Sequence, residues 1–143
     1  MKTRRTASAE WHGALKDGKG SISTASGVLQ ATQYSFGTRF EEGKGTNPEE
    51  LIAAAHAGCF AMALSGQLAE ADLIADTITA KATVTLEKLA DGFAVTASHL
   101  DVKARIPNAT AASFDKAAQA AKAGCPISKL LKAEITMEAV LET

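Results

Sequence analysis

Cysteine is scarce in this sequence: Cys59 and Cys125 are the only two in 143 residues. Disulfide-dependent domains usually carry four or more cysteines, and structural zinc sites need several cysteine and histidine ligands close together. Two cysteines far apart in the chain fit neither class. They are therefore either small buried side chains or groups that carry chemistry.

An excess of charge of either sign is also absent, since 15 basic residues face 16 acidic ones. Without a basic stripe or an acidic tail, the charge pattern does not indicate nucleic-acid or membrane-surface binding. The basic N-terminus is not followed by the apolar segment that a secretory signal requires. The most apolar segment, Leu51–Leu64, is interrupted by His56 and is shorter than a bilayer-spanning helix. We therefore expect a soluble, cytoplasmic protein with a single domain over residues 1–143.

The first 40 residues contain short apolar–polar alternations separated by glycine turns. Ala7, Ala9 and Trp11 alternate with polar residues, and a turn rich in glycine follows at residues 16–20. The alternation then resumes on the far side of the turn. We predict a three-stranded antiparallel meander that ends near Arg39.

The clearest helix start in the sequence lies at Asn47. Asn47 is a good N-cap, Pro48 suits the first helical position, and Glu50 can complete a capping box. The helical pattern continues to about Ala71 and is apolar almost all round, which predicts a central, buried helix. Small residues form rows along it, and these would let a second helix approach closely, although alanine is also simply a good helix former (Ala53, Ala54, Ala57, Gly58 and Ala61).

After the central helix the sequence returns to alternation. Ala90–Gly92 predicts a hairpin turn between two strands. The apolar set slips by one residue at Ser98–His99, which suggests a β-bulge.

A second helix follows this hairpin. Thr110 or Asn108 caps it, Gly124 ends it, and four apolar residues share one face (Phe114, Ala117, Ala118 and Ala121). Pro126 is well placed to open a short third helix before a last strand. The order βββ-α-ββ-α-β, with strands and helices segregated, predicts an α+β fold with a mostly antiparallel sheet.

The two cysteines occupy different kinds of position. Cys59 lies in the middle of the central helix, where a free cysteine is most often a small core residue. Cys125 precedes Pro126 near a helix start, where backbone N–H groups favour a thiolate, unless it is a loop cysteine without a role. Together they suggest attack of one thiolate on a peroxide O–O bond to give a sulfenic acid, which the second thiol condenses into a disulfide.

Such chemistry needs a cation that lowers a thiol pKa and stabilises the leaving alkoxide. Arg39 is the best candidate, because a guanidinium stays charged and can donate two hydrogen bonds at once. Glu49 could orient Arg39 through a bidentate pair. The plainer interpretations are a surface arginine and a carboxylate at a helix N-terminus.

His56 lies three residues before Cys59 on the same helical face. The two could be the base and nucleophile of a cysteine-dependent hydrolase, or two zinc ligands. Neither an elbow motif, an oxyanion loop nor further clustered ligands accompany them. A satisfied core histidine is the default interpretation.

Three segments, Gly45–Leu51, Ala55–Phe60 and Gly124–Pro126, resemble the OsmC/Ohr family. The resemblance extends over essentially the whole chain, and His56–Cys59 and Thr38–Phe40 make it closer to the OsmC branch. It implies an OsmC-like fold in an intertwined homodimer with active sites at the subunit interface. It also implies an antioxidant, thiol-dependent peroxidase that prefers organic hydroperoxides and reduces hydrogen peroxide less well.

Carried over by motif, the resemblance implies that Cys59 is the peroxidatic cysteine and Cys125 the resolving one. It implies that Glu49 is the carboxylate that follows the Asn-Pro pair and that Arg39 is its partner. No cofactor or metal is implied, and the reductant is a small dithiol or a lipoylated protein. The alternative from another class is a non-catalytic ligand- or partner-binding dimer with inert core cysteines.

Helix geometry adds a constraint on Glu49 and Cys59, which are ten positions apart. In one uninterrupted helix this separation is about 15 Å, too far for both to touch one arginine and one peroxide. If Glu49 does serve a Cys59, either the helix breaks between them or Glu49 serves the other subunit. We expect the second solution, with two copies of the helix packed antiparallel about a dyad near Ala54.

Overall fold

The computed structural model describes all 143 residues, and the chain divides into two compact units, Met1–Leu51 and Ile52–Thr143. The predicted α+β class with a central helix is confirmed, and the single-domain organisation stays a prediction. In chain order the elements are β1 (Ala7–His12), β2 (Lys19–Thr24), β3 (Thr32–Tyr34), α1 (Phe36–Phe40), α2 (Pro48–Glu70), β4 (Thr77–Leu89), β5 (Gly92–Arg105), α3 (Ala111–Gly124), α4 (Pro126–Leu130) and β6 (Glu134–Glu142).

The first unit contains the predicted antiparallel meander, with strand order β1-β2-β3. The prediction that its third strand reaches Arg39 is wrong, because β3 ends at Tyr34 and Arg39 lies on α1. Ser35 and Thr38 form a reciprocal capping box, with bonds of 2.7 and 3.2 Å between side-chain oxygens and backbone N–H groups. These local bonds replace the strand ladder, which is how serine and threonine compete with extended structure.

Helix α2 begins where the sequence predicts. The Glu50 N–H donates to Asn47 Oδ1 at 2.7 Å, so Asn47 is the N-cap. The carboxylate of Glu50 does not close the box on Asn47, since it accepts a 2.8 Å bond from the hydroxyl of Thr46. From Pro48 the helix runs for 23 residues to Glu70.

Only one stripe of α2 is buried within this chain. The fully buried residues on it recur every fourth position (His56, Phe60, Leu64 and Leu68). Met62, on another side, is 80% exposed. The helix is apolar almost all round, and a single chain supplies a core for only one of its sides.

The predicted apolar segment Leu51–Leu64 lies within the longer helix α2, Pro48–Glu70. By length and composition α2 could cross a membrane, with a mean hydropathy of 1.4, and 22% of its apolar window is buried. A long core helix meets the same criterion. Length and composition therefore do not distinguish a membrane-spanning helix from a long core helix.

The second unit holds a sheet of order β4-β5-β6. The hairpin between β4 and β5 turns at Ala90–Asp91, and Gly92 has a φ of 125°, which a glycine adopts without strain. A register irregularity lies opposite Thr85/Leu86, where the paired residues on β5 jump from Ala97 to Val95. Thr96 is therefore the extra residue, and the predicted bulge at Ser98–His99 is wrong.

The hydrophobic core lies between the inner face of this sheet, the buried stripe of α2 and one face of α3. Thr110 caps α3. The buried face of α3 consists of the four residues that the sequence predicts, Phe114, Ala117, Ala118 and Ala121. The strand β6 pairs parallel with β5, so α3 and α4 together form the crossover between them. Their junction is Cys125.

Candidate active site

Cys125 is held at the junction of two helices. Its N–H donates to the carbonyl of Ala121 at 2.9 Å as the C-cap of α3, and its carbonyl accepts from the N–H of Lys129 at 3.1 Å in α4. Its side chain is fully buried. Pro126 has no N–H to continue α3, so α3 ends at Gly124 and α4 begins at Pro126.

Cys59 projects from the middle of α2 and is partly exposed. Both cysteines are free thiols, and they hydrogen-bond to each other. Two sulfurs that are far apart in sequence are thus direct neighbours. The structure brings them together, while their chemical roles stay predictions.

The two thiols have pKa values shifted in opposite directions. Burial acts to raise the pKa of Cys125, but the hydrogen bond from Cys59 and the hydroxyl and backbone amide of Ser128, with the amide of Ile127, outweigh it and lower the pKa. Burial raises the pKa of Cys59, and the hydrogen bond with Cys125 raises it further, while the amide of Ile127 opposes this. In the isolated chain, Cys125 is therefore the thiol that ionises more readily.

Helix α4 contributes to this preference through its first turn. The sulfur of Cys125 makes no regular N-cap hydrogen bond, but the amides of Ile127 and Ser128 lie near enough to favour the thiolate. Partial positive charge on backbone N–H groups stabilises an anion in this position. The sequence feature that signals it is the Cys-Pro pair.

His56 is fully buried, and its two ring nitrogens are both occupied. Nδ1 lies 2.6 Å from Ser98 Oγ, and Nε2 lies 2.8 Å from Ser128 Oγ. Burial lowers the pKa of His56, so the ring is neutral. Neither nitrogen is free to act on Cys59 or to hold a metal, which leaves the default interpretation of a satisfied core histidine.

Sequence reasoning missed Ser98 and Ser128 as neighbours of the site. Ser98 is a polar residue among the inward positions of β5, and this disturbance of the apolar pattern was attributed to a bulge. Ser128 is three residues after Cys125, where an N3 residue faces the N-cap. Either signal could have identified a buried polar contact.

Arg39 and Glu49 form the bidentate pair in the first unit. Nε donates to Oε1 at 2.9 Å and Nη2 donates to Oε2 at 3.0 Å. The Glu49 side chain is 11% exposed and the Arg39 side chain 38%, so the carboxylate is fixed while the guanidinium stays accessible. The guanidinium carbon also lies 5.5 Å from the ring centre of Phe40.

Arg39 lines an apolar cavity of about 270 Å³ in the first unit, whose other walls are mainly aromatic (Trp11, Leu15, Tyr34, Ser35, Phe36 and Phe40). The rings of Trp11 and Tyr34 pack with centres 5.5 Å apart, and those of Phe36 and Phe40 with centres 4.8 Å apart. A cavity with apolar walls and one guanidinium suits a small molecule with a hydrocarbon body and an oxygen-rich head.

Helix α2 is unbroken between Glu49 and Cys59. The first of the two predicted solutions, a break in the helix, is therefore wrong. The second, in which Glu49 acts on another copy of the chain, stays a prediction.

One group of side chains has the composition of a metal site. The ligand atoms of His99, Asp101 and Glu138 lie within 4.8 Å of one another on the outer, solvent-facing side of the β4-β5-β6 sheet. His99 also bonds through Nδ1 to the hydroxyl of Thr136 at 2.6 Å. The cluster is separate from the cysteines, which lie on the other side of the sheet.

Comparison with known proteins identifies the class to which this fold and dithiol site belong. The family described as OsmC-like protein matches residues 41–140. The chain is 50% identical over all 143 residues to Peroxiredoxin OsmC of Escherichia coli (strain K12), with complete coverage of both chains. It therefore belongs to the OsmC family, and it is an oxidoreductase of the peroxidase class.

Solved structures agree on the fold. An OsmC-like protein of unknown function from Vibrio cholerae superposes with a TM-score of 0.77 at 18% identity, covering 96% of this chain and 99% of that one. The Organic Hydroperoxide Resistance Protein OhrB of Bacillus subtilis gives 0.69 at 25% identity, covering 94% and 97%. The first likeness concerns the fold alone.

Proposed function

We propose that this peroxidase reduces organic hydroperoxides to alcohols, with Cys59 as the attacking cysteine and Cys125 as the resolving one. The observation that carries the proposal is the direct contact of two free thiols, one reachable from solvent and one fully buried. A peroxide arriving from outside meets Cys59 first. Cys125 can react only with what Cys59 becomes.

In the first step the sulfur of Cys59 attacks the outer oxygen of the hydroperoxide as a thiolate. The S–O bond forms, the O–O bond breaks, and the departing alkoxide takes up a proton to become the alcohol. Cys59 is oxidised to a sulfenic acid and the peroxide is reduced.

In the second step the thiolate of Cys125 attacks the sulfur of the sulfenic acid. The S–S bond forms and hydroxide leaves, to be protonated as water. The net reaction consumes one hydroperoxide and two thiols and gives an alcohol, water and a disulfide. An external dithiol, either a small molecule or a lipoylated protein, then restores both thiols by exchange.

The first step requires the negative charge of the dithiol to move onto Cys59, whose pKa is raised in the isolated chain. A guanidinium beside Cys59 would reverse this preference and stabilise the leaving alkoxide. We assign this role to Arg39, held by Glu49, from a second copy of the chain. The protein is accordingly proposed to act as a homodimer.

The exposed side of α2 supports the homodimer. Ala54, Ala55 and Gly58 are exposed, and a side chain built at Gly58 would meet nothing within 4 Å. Small residues allow two helix backbones to approach closely. Packing two copies antiparallel near Ala54 would bring Glu49 of one chain level with Cys59 of the other, and Ala54→Leu should weaken the dimer.

The aromatic cavity beside Arg39 supports an organic substrate. Its walls can cover the hydrocarbon part of an alkyl or aryl hydroperoxide, while the guanidinium faces the peroxide oxygens. Hydrogen peroxide lacks the part that these walls would bind. We therefore expect it to react less well.

The test is consumption of cumene hydroperoxide by the wild type and by Cys59→Ser and Cys125→Ser. The wild type should form an intramolecular Cys59–Cys125 disulfide, seen as the loss of the mass of two hydrogen atoms, and Cys125→Ser should abolish that disulfide. If the alkyl hydroperoxide leaves both thiols intact, the proposal fails and a ligand-binding dimer becomes the better explanation. An acyl-thioester at Cys59 would instead indicate a hydrolase.

A further inference from the structure

His56 takes no part in the reaction proposed above, yet it is bound on both sides by buried hydroxyls. His56 and Ser98 are fully buried and Ser128 is 9% exposed, so the three form a polar group inside an apolar core. Burying polar groups costs free energy unless they are fully hydrogen-bonded, and an apolar trio would avoid the cost. The arrangement therefore calls for a functional explanation.

The polar group extends as far as Cys125. Ser128 is the third residue of α4, and Cys125 is its N-cap. In this geometry the side chain of the third residue faces the N-cap residue. The hydroxyl of Ser128 accordingly interacts with the sulfur of Cys125, so a continuous chain runs from Ser98 through His56 and Ser128 to the sulfur.

The chain has a defined direction when Cys125 is a thiolate. A neutral imidazole has one donor and one acceptor nitrogen, and a hydroxyl has one proton to donate. If Ser128 donates to the sulfur, it cannot also donate to His56, so Nε2–H must donate to Ser128 Oγ. Nδ1 then accepts from the hydroxyl of Ser98. All three donors point toward the sulfur, and each bond strengthens the next.

We propose that His56 is a positioning residue for the resolving cysteine, holding the Ser128 hydroxyl as a hydrogen-bond donor to the sulfur of Cys125. The inference rests on the proposed function for the resolving role of Cys125. The other groups that act on this sulfur are the thiol of Cys59 and the amides of Ile127 and Ser128. None of these is a cation, so the Ser128 hydroxyl is one of several neutral donors that favour the thiolate of Cys125, which attacks once Cys59 has been oxidised.

The first test isolates Cys125 in a Cys59→Ser background, where it is the only cysteine, and titrates it by the ultraviolet absorbance of the thiolate. Adding Ser128→Ala should raise the titration midpoint of Cys125 by about one pH unit. At a given pH below the midpoint, the fraction of thiolate should then be roughly tenfold lower. Ser128→Thr, which keeps the hydroxyl, is the matched control and should stay near the parent.

The second comparison concerns the ring itself. His56→Leu should raise the midpoint in the same direction as Ser128→Ala. His56→Gln should stay closer to the parent, because an amide can donate to Ser128 and accept from Ser98. A purely structural histidine would lower the melting temperature in both variants without moving the midpoint. Should His56→Leu fail to fold, the Ser128→Ala and Ser128→Thr pair decides.

A kinetic readout follows in the protein with both cysteines. After one equivalent of cumene hydroperoxide, the ratio of dimedone-trapped sulfenic acid to disulfide should rise about tenfold in Ser128→Ala. An unchanged midpoint in natively folded Ser128→Ala, or equal midpoints for His56→Leu and His56→Gln, would overturn the inference. The titration uses no peroxide, so its result is independent of whether the protein consumes peroxide at all.

Discussion

The two units of this chain are built on different principles. In Ile52–Thr143 a continuous apolar core is formed by two helices and a sheet, and Cys125 is fully buried in this unit. In Met1–Leu51 the buried residues are polar, namely Thr38, Thr46 and Glu49, while apolar side chains such as Val28 are exposed to 82%. The second unit has the material of an independent fold, and the first does not.

In the proposed function, this difference places the reacting sulfurs and their electrostatic support in separate units. The sulfurs lie in the unit with the core, where burial and hydrogen bonds hold them in contact. The guanidinium–carboxylate pair lies in the unit without a core. The fold of that unit depends on a β-meander, helix caps and turns. A segment of about 50 residues that buries no apolar side chain needs further surface to cover it. A second copy of the chain would supply such a surface and complete the site at once.

The largest effect is expected from removing the reacting sulfur of the second unit. Cys59→Ser should lower peroxide consumption by about a thousandfold or more, since Cys59 supplies the attacking thiolate in the proposed function. Cys125→Ser should still allow one turnover, trapped as a sulfenic acid at Cys59. Single-turnover mass spectrometry with each variant measures both. Retained turnover in Cys59→Ser would reverse the assignment of the two cysteines.

Mixing two inactive variants tests whether the first unit of one chain serves the second unit of another. Cys59→Ser and Glu49→Ala chains, refolded together, should recover about a quarter of wild-type activity, because half of the randomly formed dimers carry one complete site of two. If Glu49 acts within its own chain, no dimer is complete. Native mass spectrometry of the mixture is the control that heterodimers have formed.

The buried histidine of the second unit predicts an acid-sensitive core. Burial keeps His56 neutral when folded, while the unfolded chain takes up a proton here near pH 6.5. The stabilisation is therefore present above that pH and lost as pH falls, by up to about 1.4 kcal/mol per pH unit. Urea unfolding between about pH 7 and about pH 5 should show that the free energy of unfolding declines less steeply for His56→Gln than for the wild type. Parallel declines would mean that His56 is protonated in the folded state.

The smallest effect is expected from Gly58→Ala, where the direction of the change in stability is informative. In an isolated helix Gly58→Ala should stabilise by about 0.5–1 kcal/mol, since nothing lies within 4 Å of the added carbon. If Gly58 lies in a contact between two helices, the same change should instead destabilise, and more so at low protein concentration. Thermal unfolding at two concentrations separates these outcomes.

Gly66→Ala on the same helix is the control. Nothing lies within 4 Å of its added carbon either. In an antiparallel pair centred near Ala54, the start of the partner helix at Pro48 falls opposite Phe60, so Gly66 lies beyond it. Gly66→Ala should therefore stabilise. A gain at both positions would argue against the proposed contact.

Much of the fold could be predicted because its signals are local. Asn47 and Pro48 mark the start of α2, and Thr110 marks the start of α3, through capping bonds that involve only neighbouring residues. The errors arose where two local signals compete. Around Ser35 a capping box overrode a strand pattern, and around Ser98 a polar residue with a buried partner resembled a change of register.

The sequence by itself determined which chemical groups this protein has: two thiols, a guanidinium with a matching carboxylate, and a helix start that orients that carboxylate. Only the tertiary structure decided that Cys59 touches Cys125, that Ser98 and Ser128 close on His56, and that α2 runs unbroken past Glu49. The physical reason is that caps and turns depend on residues a few positions apart. Contacts between a helix, a strand and a crossover depend on how three separate surfaces pack, which no local pattern encodes.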